Sequence, residues 1–180
     1  MKRSLLLGCG NSHVKKLQFG GEKWLGKLTT LDMDPNCGAD VVMSLDFLGQ
    51  RSWRHPFGKR LPFPDNTFDE LASYDCLEHV GRQGDWKGYF QEFGEYHRVL
   101  KPGGIFGILV PIGEDALADP GHTRFFQFNY FGFLSQEFYA RNLSMGTTCT
   151  DYRWFWKKNF EVVYLAKVEE HHIACVLRKA

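Results

Sequence analysis

The chain has 180 residues, a formal charge of +1 and 43% hydrophobic residues: enough to bury one full core, without the charge excess of a nucleic-acid-binding or membrane-surface protein. No apolar run approaches the ~20 residues of a membrane span, and the first strand begins almost at residue 1, so the expectation is one soluble, cytoplasmic domain without a signal peptide. Cys9, Cys37, Cys76, Cys149 and Cys175 are scattered with no Cys-x-x-Cys pair, and are read as reduced thiols rather than a disulfide framework or metal site.

The chain is organised around Leu5-Leu6-Leu7-Gly8-Cys9-Gly10-Asn11-Ser12. Three consecutive leucines show no period-2 alternation and predict a strand buried on both faces, in the middle of a parallel sheet. Gly8 and Gly10 then form the turn at its carboxyl end, where ligands of open α/β sheets bind. Position 13 is His rather than the third glycine of a dinucleotide fingerprint, and no Gly-Lys-Ser/Thr block follows, so no pyrophosphate cradle is predicted.

Gly20, Gly21 and Gly26 leave room only for a short first helix before a second strand, Leu28-Thr29-Thr30-Leu31, that ends at Asp32. An acidic residue at this distance, about 20 residues on, is placed to accept hydrogen bonds from both hydroxyls of a ribose. Asp34-Pro35 begins a turn, and 39–43 forms a third strand running to Asp46 and Phe47. The loop from 49 to 66 carries Arg51, Arg54, His55, Lys59 and Arg60, and reads either as solvated surface or as a patch for an acidic substrate.

Residues 68–74 read as a fourth strand, followed by Asp75 and by Leu77-Glu78-His79-Val80. Asp85 caps a helix whose apolar positions 86, 89, 90, 93, 96, 99 and 100 recur mostly in steps of three and four. Lys101-Pro102-Gly103-Gly104 stops it and permits a reversal into a fully apolar strand, 105–110. An aromatic stretch, 125–139, has no clean period; it reads as packing against the sheet, with part available to wall a substrate pocket or a dimer contact. Two final strands, 160–167 and 171–177, make a closing hairpin.

Four blocks together resemble the class I S-adenosylmethionine-dependent methyltransferases, in the small branch with a shortened first crossover. They are Leu-Gly-Cys-Gly at 7–10, Leu-Asp-Met-Asp-Pro at 31–35, Leu-Pro-Phe-Pro-Asp-Asn-Thr-Phe-Asp at 61–69 running into Leu-Glu-His-Val at 77–80, and Arg-Val-Leu-Lys-Pro-Gly-Gly at 98–104. The resemblance implies a Rossmann-like, doubly wound α/β fold: a mostly parallel seven-stranded sheet with a C-terminal antiparallel hairpin. It implies one methyltransferase-like domain over 1–180, with a cofactor half at 1–111 and a substrate-side, sheet-closing half at 112–180. The cofactor implied is S-adenosylmethionine. Gly8, Cys9 and Gly10 would lie beside its methionine part, Asp32 on the ribose, Met33 against the adenine, Asp46 and Phe47 at the adenine edge and face, and Tyr74 and Asp75 near the methyl-transfer centre. Leu6 and Ser12 depart from the family pattern, which commonly has an acidic and a third small residue there.

His79 and His122 are the candidates for a general base, because unperturbed imidazole titrates near neutrality; His79 also reads as a structural residue at a helix start. The methyl acceptor is unidentified, a small molecule being one class allowed. Arg124 and Arg141, one at each end of the aromatic stretch, are its only basic residues, so nucleic acid is not favoured. Oligomeric state is open. The competing reading is a catalytically inactive methyltransferase-like module for binding or assembly.

Overall fold

The computed structural model describes residues 1–180 except Trp53, Pro56 and Phe57, and gives the backbone alone of Asp115. Seven strands, β1 (Arg3–Leu7), β2 (Lys27–Asp32), β3 (Val41–Val42), β4 (Phe68–Tyr74), β5 (Leu100–Pro111), β6 (Phe160–Val168) and β7 (His172–Lys179), form one sheet in the order β3-β2-β1-β4-β5-β7-β6. The first five run parallel; β7 is antiparallel to β5 and to β6, as the closing hairpin requires. The order reverses at β1, so the carboxyl ends of β1 and β4 border the crevice in which α/β sheets hold ligands.

The sheet's two faces are covered by different means. Leu5, Leu7, Leu71, Phe106 and Ile108 point to one face, where α1 (Trp86–Val99) lays down Tyr89, Phe93 and Tyr96 at helical spacing. Asp85 accepts from Gly88 N at 2.9 Å and caps the helix. The aromatic stretch completes this core: α3 (Phe128–Gly132) and α4 (Gln136–Ser144) follow a short α2 (Glu114–Ala118), burying Phe126, Phe131 and Tyr139. Phe90 stacks on Trp156 with ring centres 5.4 Å apart.

Among the described residues, no helix contributes to the apolar cluster on the opposite face. The short helix expected between β1 and β2 is absent, and among the described residues no helix precedes the 3-10 turn Leu77–His79. Residues 8–26 instead run as irregular chain, contributing Leu17 and Trp24 against Leu6, Ala72 and Tyr74. An ion pair holds this segment down. Glu70, in the middle of β4, meets Lys15 Nζ at 2.7 Å with both side chains 3% exposed, and also accepts from Ser4 Oγ at 2.8 Å and Leu25 N at 3.0 Å. Lys15 spends its remaining donors on the carbonyls of Phe19 and Lys23. Glycine content broke the helix, and this pair gave the irregular backbone a fixed path instead.

Two boundaries also differ from the sequence reading. β3 is two residues long rather than five. The Lys101–Gly104 reversal is a bulge inside β5, which starts at Leu100: Phe68 pairs with Leu100 and Glu70 with Ile105, so the intervening residues loop out, with Gly103 at φ +74°. No helix among the described residues is long and apolar enough to cross a membrane.

Two stability predictions follow from these contacts. Glu70→Gln leaves the Lys15 ammonium buried without its counter-charge and is expected to cost about 3–5 kcal/mol in denaturant unfolding, whereas breaking an exposed pair such as Arg153–Asp151 should leave the unfolding midpoint nearly unchanged. His97, packed edge-on against Phe160 with Nε2 buried and unpartnered, is held down to about 4 by burial and by the charges of Lys179 and Lys158. Its ring stays neutral in the folded chain while the unfolded chain protonates near 6.5, so this contribution is complete above 6.5 and is lost as pH falls toward 4. Unfolding at pH 7 and pH 4.5 should differ by a component of about 2 kcal/mol that His97→Phe removes.

Candidate functional site

The turn after β1 is fastened to β2 by Gly8 N and Cys9 N, which donate to Leu31 O at 2.8 and 3.2 Å. Gly8 has φ +63°, and a Cβ on it would run into the Cys76 side chain beyond β4. Gly10 has φ +49° and faces open space. Its N–H donates to Asp32 Oδ2 at 2.8 Å, while Asp34 N donates to Asp32 Oδ1 at 2.9 Å. The carboxylate is therefore fixed through both oxygens, and each keeps acceptor capacity toward solvent. These groups border a cleft of about 260 Å³ that also meets Met33, Met43, Leu45, Asp46, Asp75 and His79.

The remaining predicted residues fall around or behind this cleft. Met33 is exposed on its rim. Asp46 accepts from Gly81 N at 3.1 Å and from Ser44 Oγ at 3.2 Å, which turns its carboxylate toward the chain after β4. Phe47, with φ +61°, is exposed and lines the neighbouring groove rather than the cleft. Cys9 and Tyr74 turn their side chains to the helix-free face, where burial pushes the Cys9 thiol up to about 11 and the Tyr74 phenol up to about 12. Cys9 meets the turn with its backbone only, and the Tyr74 hydroxyl accepts from Leu17 N at 3.4 Å. Asp75, at φ +50°, lines the cleft with its carboxylate between Lys16 and His172, the latter at 3.0 Å. The basic loop contributes a structural lysine: Lys59 Nζ donates to Ser44 O and Asp46 O at 2.7 and 2.8 Å.

Beyond β4 the structure brings His79 and His122 together, their ring centres 4.6 Å apart, and adds a residue the sequence did not single out. Glu78 is 2% exposed, lies 4.0 Å from His122 Nε2, and has Oε2 buried without a partner. Burial pushes its carboxyl up to about 7. Its backbone carbonyl accepts from Thr123 N at 2.9 Å and Arg124 N at 3.0 Å, so the His122 loop is pinned onto the Leu77–His79 turn. Arg124 in turn bonds Glu92 of α1 at 2.8 Å with its side chain 1% exposed. Sequence pattern alone shows a charged residue at a helix start here; the signal that matters is its burial.

A second chamber, about 240 Å³, opens at the start of α1 between Trp86, Tyr89, Phe133 and Tyr152. A groove bordered by Asp46, His79, Gly81 and Arg82 lies between it and the cleft.

Residues 5–108, more than half of the chain and including the glycine turn and Asp32, match a family model described as a methyltransferase domain. The chain belongs to the methyltransferase-domain family. Its fold is the class I S-adenosylmethionine-dependent architecture. Among curated relatives, a probable S-adenosylmethionine-dependent methyltransferase of Mycolicibacterium smegmatis is 34% identical over 77 residues, 39% of this chain and 28% of that protein. A demethylmenaquinone methyltransferase of Lysinibacillus sphaericus is 35% identical over 80 residues, 44% of this chain and 30% of that protein. The match thus spans less than a third of either relative's length.

Likeness at the level of fold covers nearly the whole chain. A chain from the Haloferax volcanii complex between the Trm112 methyltransferase activator and a putative methyltransferase superposes with TM-score 0.60 at 13% identity, covering 99% of this chain and 82% of that one. The Burkholderia thailandensis 1,6-didemethyltoxoflavin-N1-methyltransferase, solved with 1,6-didemethyltoxoflavin and S-adenosylhomocysteine bound, gives 0.53 at 16% identity over 99% and 71%.

The turn geometry separates two glycines that look alike in sequence. Gly8→Ala adds a steric conflict with Cys76 to the left-handed backbone cost of about 1–2 kcal/mol, whereas Gly10→Ala carries the backbone cost alone. Thermal unfolding of the two variants should therefore show the larger loss for Gly8→Ala.

Proposed function

We propose that this chain is an S-adenosylmethionine-dependent methyltransferase that acts on a small-molecule acceptor in the cytoplasm. The observation that carries the reading is the Asp32 carboxylate, fixed between Gly10 N and Asp34 N at the mouth of a cleft whose floor is the glycine turn. The cleft fits the cofactor on the chain's own chemistry. The side-chain-free backbone of Gly8 and Gly10 lines it, Asp32 presents two acceptors for a vicinal diol, and Met33 with Leu45 gives an apolar flank for a purine. In this reading 1–111 supplies the cofactor half. Gly8, Cys9 through its backbone, and Gly10 take the methionine portion; Asp32 takes the ribose; Met33 and Asp46 flank the adenine; Asp75 borders the methyl-transfer end, while Phe47 in the neighbouring groove and Tyr74 on the opposite face stay out of side-chain contact with the cofactor.

When bound, S-adenosylmethionine supplies a methyl group on a strong leaving group, so alignment of the acceptor carries most of the catalysis. Residues 112–180 contribute to that alignment. The aromatic chamber fits an acceptor with a flat apolar body, and His79 faces the groove between chamber and cleft, where an imidazole receives the proton of a protonated nucleophile. His122 packs on His79 and shares this role through the pair.

The test begins with calorimetry. The chain should bind S-adenosylmethionine and S-adenosylhomocysteine, and Asp32→Ala should weaken both by about 1–3 kcal/mol while the fold, read by circular dichroism, is kept. A labelled-methyl screen across flat apolar small molecules, proteins and nucleic acids then identifies the acceptor class. Binding with no label transfer to any acceptor would replace this reading with that of an inactive binding module.

A further inference from the structure

We propose that Glu78, His79 and His122 form a binding site for one divalent transition-metal cation, beside the methyl-transfer end of the cleft. One ligand-capable atom from each of the three side chains lies within 4.8 Å of the other two. Glu78 Oε2 is buried with no partner, although its residue is 2% exposed, and an orphaned carboxylate oxygen in that position is costly unless something fills its coordination. Both imidazoles are already oriented as metal ligands are. His79 Nδ1 lies 3.1 Å from Gly121 O and His122 Nδ1 lies 2.9 Å from Ala116 O. A carbonyl oxygen only accepts, so each Nδ1 carries the proton and each Nε2 keeps its lone pair.

The donor set selects the cation class. Two imidazoles and one carboxylate suit Zn²⁺, Co²⁺, Fe²⁺ or Mn²⁺ better than Mg²⁺ or Ca²⁺, which take oxygen ligands. Metal–nitrogen bonds of about 2.0–2.1 Å place neighbouring ligands roughly 3–3.5 Å apart; His122 Nε2 to Glu78 Oε1 is 4.0 Å and no pair exceeds 4.8 Å, so the site completes by side-chain closures of about 0.5–1.8 Å. His79 is exposed and borders both cleft and groove, which gives the cation an entry path and leaves coordination positions open on the acceptor side.

The second cluster of ligand-type side chains, Cys9, Asp32 and Cys37, lacks these features. Both Asp32 oxygens there already accept backbone N–H groups, and Cys9 is buried away from the cleft.

The cation's binding does not depend on methyl transfer; its catalytic use rests on the function proposed above. A cation held there would lower the pKa of a bound acceptor hydroxyl, whose proton would pass to solvent water in place of transfer to a free imidazole.

The experiment is titration of chelator-stripped protein with Co²⁺, read by its d–d absorbance, with Zn²⁺ as competitor. One equivalent is expected, displaced by Zn²⁺, with affinity at least tenfold weaker in Glu78→Gln and in His122→Ala and unchanged in Cys37→Ser. Paramagnetic shifts of the His79 and His122 ring protons in the unaltered chain give the same answer without a variant, should a substitution prevent folding. Absence of a one-equivalent Co²⁺ signal overturns the site. So does binding that Cys37→Ser abolishes, or binding that leaves both histidine rings unshifted. Co²⁺ binding at these residues in a protein that transfers no methyl group keeps the metal site and removes the catalytic reading; label transfer without any metal signal does the reverse.

Discussion

The ion pair between Glu70 and Lys15 is the constraint on which the architecture turns. A parallel sheet needs both faces covered, because its central strands are apolar on both sides. Here one face receives a helix and a thick aromatic layer, and the other, among the described residues, receives irregular chain, chiefly 8–26 with Cys37 and Ala39. Such a segment cannot satisfy its own backbone groups as a helix does, so it must be given partners. Glu70 and Lys15 supply them from the centre of the sheet outward, through Leu25 N and the carbonyls of Phe19 and Lys23. The segment they fix begins at the glycine turn, so the same pair that covers the face also sets where the cleft floor lies.

A second line of contacts positions the far side of the site. Glu92 on α1 holds Arg124, whose backbone N–H, with that of Thr123, is tied to the Glu78 carbonyl. His122 is thus suspended between a helix and a 3-10 turn that belong to the same core. Gly81 N reaches Asp46, which joins this turn to the loop after β3. The two banks of the cleft are therefore linked by directional bonds rather than by packing alone, and bonds to buried charged groups are the stronger kind.

Much of this was legible in the sequence, and the reasons differ by element. The Leu5–Leu7 run, the Asp85 cap and the spacing of Trp86, Tyr89, Phe93 and Tyr96 are local signals, and they appear as a central strand and a capped helix at the expected residues. The final hairpin was legible from its two apolar runs. The first crossover was not: Gly20, Gly21 and Gly26 showed that a helix would be short, but its complete absence depends on a residue 55 positions from Lys15, in β4. Local propensity carries no trace of such a partner. Glu78 was missed for a related reason, since a carboxylate beside a histidine at a helix start is ordinarily exposed, and burial to 2% is a property of the loop folded over it. The side chains of Cys9 and Tyr74 were placed by position in a motif, and period-2 alternation along a strand end decides their face only once the register of β1 and β4 is known.

The contact between Gly8 and Cys76 ties these strands of argument together. The turn after β1 and the turn after β4 approach so closely that a single added methyl group has no room, and Cys76 immediately precedes the Leu77–His79 turn. Gly8 and His79, which the proposed function puts on the cofactor and acceptor sides, are thereby joined through Cys76 and the three residues that follow it. Displacing either turn displaces the other, because close-packed interiors have no slack to absorb the shift. On the proposed function, the distance from the groups that would take the methionine portion to those that would face the acceptor is set by packing at the sheet's carboxyl edge, as an in-line transfer between two separately bound molecules requires of its scaffold.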